Sequence, residues 1–98
     1  MKHTASIAAE YIGWSLKEKR KRLGVTGEEI AKKLNISQQQ VSRYERGVNT
    51  INISMLIRFF DVLEMDEDDI SYVFDILVHS YSEYLKVKEE RINLENCN

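Results

Sequence analysis

The sequence contains no proline and a single cysteine, Cys97. A lone thiol closes no internal disulfide, and no Cys/His cluster with zinc spacing surrounds it. The expectation is therefore a reducing compartment, the cytoplasm, with no metal and no cofactor. No stretch approaches the ~20 consecutive apolar residues that a membrane span needs. The opening Met1-Lys2-His3-Thr4-Ala5-Ser6 runs into a short apolar stretch broken by Glu10, a poor match to a secretory signal. His3 and His79 stand apart from any nucleophile or carboxylate in a recognisable arrangement, so no enzyme is expected. Only four glycines (Gly13, Gly24, Gly27 and Gly47) interrupt the chain, and β-branched runs are few. These scarcities leave helices joined by short turns, an all-α fold.

What is present fits one folded domain. In 98 residues, 43% hydrophobic and 31% charged, there is material for a real but modest core. The net charge of −2 conceals an asymmetry. Residues 1–65 carry 11 Lys+Arg against 7 Asp+Glu, whereas residues 66–98 carry 3 against 9. A basic front and an acidic back imply an anionic partner for the front alone.

Helical periodicity and end signals divide the chain. A first helix is expected over about 7–23, with Ile12, Leu16 and Leu23 on one face, Arg20 among them, and Gly24 as its stop. Thr26-Gly27-Glu28-Glu29 reads as a capping box that opens a short helix to Leu34, burying Ile30, Ala31 and Leu34. After a turn at Asn35-Ile36, Ser37-Gln38-Gln39-Gln40 reads as a second capping box, with Gln40 as the reciprocal partner. The third helix then buries Val41 and Tyr44 and ends at Gly47. Asn52 caps a fourth helix bearing Ile53, Leu56, Ile57, Phe60 and Leu63, widened by Phe59 and Val62. Asp66-Glu67-Asp68-Asp69 gathers acids at the next helix start, where they complement the helix dipole. A long apolar stripe follows to Leu94, with a break expected near Ser80–Ser82.

Residues 26–46 form two short helices across a tight turn, with small Ala31 where the helices must touch. That is the helix-turn-helix arrangement, whose second helix enters the DNA major groove. Glutamine amides bond adenine N6 and N7 together, and arginine forks onto guanine O6 and N7. Such side chains must stand at the start of the inserted helix, where Gln38 and Gln39 are, or one turn on, where Ser42 and Arg43 are.

Residues 16–66 resemble the phage-repressor/Cro-like, or XRE, family of helix-turn-helix domains. The resemblance rests on Leu16 and Arg20; Leu23-Gly24-Val25-Thr26; Glu29-Ile30-Ala31; Ile36-Ser37; Val41-Ser42-Arg43-Tyr44-Glu45-Arg46-Gly47; and Leu56 with Val62-Leu63. It implies a five-helix, lambda-repressor-like DNA-binding domain, placed over 7–70; the remaining residues, 71–98, are expected to form a C-terminal helical extension. It implies base contacts from Gln38, Gln39 and Arg43, and an ion pair between Arg20 and Glu45 that pins the third helix to the scaffold. Gln40 is assigned to capping rather than to base reading. Phosphate contacts are expected from Thr26, Ser37, Arg46, Asn49 and Thr50. Gly27 departs from the family, which often has glutamine there to bond a phosphate.

One inserted helix reads too few base pairs to define a genomic site, so dimers are the usual remedy. Phe74, Tyr81 and Leu85, flanked by Val78 and Ile92, offer an apolar face for a homodimer. The alternative, for the part before His79, is folding back onto helices one and four. The expected function is a transcriptional regulator, in the first instance a repressor, binding double-stranded DNA at a palindromic operator as a homodimer, with RNA polymerase as a further contact. The alternative is an antitoxin and autoregulator whose tail grips a toxin.

Overall fold

The computed structural model describes residues 4–95, so the expectations for His3 and Cys97 fall outside the described residues. Within that range the chain is all-α. The five helices are α1 (Thr4–Arg22), α2 (Gly27–Leu34), α3 (Gln38–Glu45), α4 (Ile53–Val62) and α5 (Glu67–Glu95).

Four of them stop in the same way. In each, the amide two residues beyond the last turn bonds a carbonyl five residues back: Val25 to Arg20, Ile36 to Ala31, Val48 to Arg43 and Met65 to Phe60. This closure needs a left-handed residue at the stop. Gly24, Asn35, Gly47 and Glu64 supply it, with φ of 70°, 56°, 70° and 53°. Glu64 is the one whose sequence gave no hint of the role.

The starts are capped by side chains. Thr26 and Glu29 form the expected reciprocal box before α2, and Asn52 Oδ1 accepts from the Met55 amide at 2.8 Å before α4. A further reciprocal pair opens α5, where Asp66 Oδ1 accepts from the Asp69 amide and Asp69 Oδ2 from the Asp66 amide. Asp69 Oδ2 also meets Lys19 Nζ at 2.9 Å, which ties α1 to the start of α5. The Lys19 bond, followed by the Asp66 amide, holds the Asp69 carboxyl below the ordinary aspartate range. The sign follows from linkage: this contribution is present above the unfolded aspartate's pKa and fades as pH falls through the depressed folded value.

The core joins Ile12 and Leu16 of α1, Ile30, Ala31 and Leu34 of α2, Val41 of α3, Leu56 and Phe59 of α4 with the following Leu63, and Val73 of α5. Tyr44 meets Phe59 edge-on at 6.0 Å between ring centres. Two apolar expectations are corrected. Leu23 is 38% exposed because α1 ends at Arg22, so Leu23 lies in the turn and off the Ile12/Leu16 line. Ile53 and Ile57 face solvent, because α4 turns the Leu56/Phe59/Leu63 stripe inward and carries those two residues out. Arg58, on the same helix, donates to the Leu34 carbonyl and so ties α4 to the end of α2.

The expected break near Ser80–Ser82 is absent. α5 runs unbroken for 29 residues, since serine alone does not interrupt a helix that lacks glycine and proline. Its first part packs on α1 through Val73, fully buried, and Ile76, half-buried. From Tyr81 to Glu95 every residue is exposed. This projecting helix accompanies a longest dimension of 58 Å. No helix among the described residues is long and apolar enough to cross a membrane.

Candidate nucleic-acid interface

The position of α3 is set where it crosses α1. At Gly13 the two backbones approach so closely that a Cβ would lie 2.2 Å from the Tyr44 carbonyl oxygen. Gly47, left-handed at φ 70°, lies against Glu10, whose Cα would stand 2.6 Å from an added Cβ. Further along α1 sits a fork. Arg20 Nε donates to Glu45 Oε2 at 2.7 Å and Nη2 to Oε1 at 3.1 Å, while Nη1 donates to the Val25 carbonyl at 2.9 Å. The Glu45 hydrogen bond pushes the guanidinium above its ordinary range, so Arg20 stays charged. One side chain thus binds the last residue of α3 and the turn before α2.

The start of α3 is left outward. Gln38 and Gln39 are exposed, and Ser42 and Arg43 follow one turn later, half-buried. The Ser37 hydroxyl accepts the Gln40 amide at 3.0 Å, which still leaves its own proton to donate. The expected reciprocal half of that box is corrected. Gln40 does not reach back to Ser37. Its Oε1 accepts from Asn49 Nδ2 at 3.5 Å, a long bond that links α3 to the loop after it. That bond occupies one face of the half-buried Asn49 amide. Arg46 is exposed and lies back along its own helix, Nε on the Ser42 carbonyl at 3.3 Å. Thr50 is exposed. Thr26 is also exposed, but its hydroxyl both caps Glu29 and meets the Glu29 carboxylate at 3.2 Å.

The starts of α2 and α3 lie side by side. A Cβ on Gly27 would meet Gln38 at 3.9 Å, an ordinary contact. Lys17, Gly27, Gln38 and Ser42 border a shallow cleft of about 220 Å³ whose wall includes the Arg20–Glu45 fork. Gly27→Ala therefore fits without strain and is expected to stabilise the domain by ~0.4–1 kcal/mol, read as a small rise in melting temperature. The arrangement is an outward row of amides, a hydroxyl and a guanidinium, bordered by cations and capped helix starts. Such a surface donates and accepts hydrogen bonds and attracts anions. Among the described residues, no group of His, Cys, Asp and Glu is placed to hold a metal ion.

The described positions of the expected self-association residues are uniform. Phe74, Val78, Tyr81, Leu85 and Ile92 are all exposed on α5. Gly13, Arg58 and the Lys19–Asp69 bridge are structural features that the expectations from sequence do not include. The first had a signal, since a glycine inside a helix costs ~1 kcal/mol against alanine and so asks for a packing reason.

A family model described as Helix-turn-helix matches residues 16–70. Among solved structures, the chain is similar to the clp gene regulator ClgR from Corynebacterium glutamicum. The TM-score is 0.60 at 24% identity, over 88% of this chain and 86% of that chain, a likeness of fold. Comparison with curated proteins gives no match.

Proposed function

Because the chain belongs to the helix-turn-helix family, a DNA-binding family, we propose that it is a transcription regulator that reads DNA sequence through α3. The carrying observation is the outward start of α3, with Gln38, Gln39, Ser42 and Arg43 on a helix whose far end the Arg20–Glu45 fork fixes. In this reading α3 enters the major groove. Gln38 and Gln39 pair with adenine edges, Arg43 forks onto guanine and Ser42 takes a neighbouring edge. Arg46, Ser37, Asn49, Thr50 and Thr26 contact phosphate and set the register; Thr26 turns its proton from Glu29 to do so. The regulator acts in the cytoplasm as a homodimer on a palindromic operator, through Phe74, Val78, Tyr81, Leu85 and Ile92. It represses by covering the site that polymerase needs. The similar fold of a clp gene regulator agrees with a regulatory role.

Selection of bound sites from a random DNA pool tests this directly and is expected to return inverted half-sites. On the selected site, Arg43→Ala should weaken binding by ~1–3 kcal/mol, roughly 5- to 150-fold, and relax discrimination at one position in each half-site. Arg46→Ala should instead weaken binding to all sequences alike and lower the salt slope by about 1. Equal binding of all sequences by the parent protein would sink the reading.

A further inference from the structure

α5 carries two apolar faces. Val73 and Ile76 turn toward α1 into the chain's own core. Phe74, Val78, Tyr81, Leu85 and Ile92 lie around the helix from them and are between 43% and 65% exposed. Their spacing is four, three, four and seven residues, a heptad seam in which Lys88 fills the one remaining position. Resting on the homodimer reading above, we infer that the seams of two chains pair antiparallel, with Phe74 opposite the partner's Ile92 and Tyr81 opposite the partner's Leu85.

Three observations select that direction. The first is Lys88. A parallel pair sets the two Lys88 ammonium groups against each other on the seam. The antiparallel register places Lys88 opposite the partner's Val78 and puts the two lysines about 15 Å apart along the axis. The stem then covers apolar surface while the ammonium reaches water.

The second is charge. Residues 66–75 hold five acids and no base, whereas residues 91–95 hold one base, Arg91, and one acid, Glu95. Parallel pairing lays the two acidic segments together. Antiparallel pairing moves them to opposite ends of the helix pair and sets each Asp75 level with the partner's Arg91, and it also opposes the helix dipoles.

The third is distance. α5 is anchored in its own domain at Val73. In the antiparallel register the two Val73 positions stand 20 residues apart, about 30 Å at 1.5 Å per residue. Half-sites on one face of DNA are ~34 Å apart. The helix pair thus spaces the two domains by nearly one turn, which a parallel pair does not do.

Disulfide trapping tests the direction. In a Cys97→Ser background, chains carrying Phe74→Cys are mixed with chains carrying Ile92→Cys under mild oxidation. The expected result is a 74–92 cross-link forming at least tenfold faster than self-cross-linking of either variant. Both positions are exposed, so both variants should keep the parent's helical circular dichroism. Faster self-cross-linking of Ile92→Cys would overturn the antiparallel pairing and leave the homodimer reading standing. A monomer in sedimentation equilibrium at DNA-saturating concentration would overturn both.

Discussion

Arg20→Ala is expected to cost about 3–5 kcal/mol of folding stability, because it leaves Glu45 buried without its counter-charge. The Glu45 side chain is 7% exposed and holds both carboxylate oxygens on the arginine. A domain of this size has only ~5–15 kcal/mol in all, so the variant approaches the unfolding threshold. The melting temperature should fall by roughly 15 °C or more. Arg20→Lys should rescue little. A lysine ammonium presents no planar fork, so it cannot hold both Glu45 oxygens and the Val25 carbonyl together. Arg20→Met with Glu45→Leu should recover most of the loss, since apolar replacement of a buried pair is often neutral. That double variant separates stability from positioning. If it folds but binds the selected DNA site weakly, the fork also aims α3. A melt of Arg20→Ala within a few degrees of the parent would remove the pair from any account of the fold.

Much of this architecture is legible in the residues. Capping pairs and stops are local, so Thr26 with Glu29, Asn52, Gly24 and Gly47 mark helix ends without any knowledge of what packs where. The outward placement of Gln38 and Gln39 follows from the same markers, because Ser37 fixes where α3 begins. What escaped is what depends on neighbours distant in sequence. Two apolar stripes on α4 have equal helical spacing, and only the packing of Phe59 against Tyr44 decides that Ile53 and Ile57 turn outward. The Gln40 amide has two partners in reach of a plausible fold, Ser37 behind it and Asn49 ahead. The loop after Gly47 brings Asn49 close enough to take it. Arg58 appears in sequence as a stray cation on an apolar helix, and its purpose exists only once the end of α2 lies beside it.

Gly13→Ala is expected to destabilise the domain by ~3 kcal/mol or more, at the upper end for overpacking. The new Cβ would stand 2.2 Å from the Tyr44 carbonyl oxygen and 2.7 Å from that of Glu45. Both obstacles are backbone of α3, so neither can swing aside as a side-chain tip would. α1 and α3 must separate by about an ångström to reach ordinary contact, which strains the Arg20 fork and thins the core around Ile12 and Leu16. Alanine's better helix propensity returns only ~1 kcal/mol. The same substitution at Gly27 meets nothing closer than 3.9 Å and is expected to stabilise. The two variants, identical in chemistry and opposite in sign, can be compared in one set of melts. Their effects on DNA should differ as well. Gly27→Ala leaves α3 where it is, so affinity for the selected site should hold within about twofold, a shift of under ~0.5 kcal/mol. Gly13→Ala moves α3 on its scaffold and should lower affinity even at temperatures where it remains folded. Parent-like stability in Gly13→Ala would mean that the α1–α3 crossing has slack, and that the Arg20–Glu45 fork alone fixes the angle of α3.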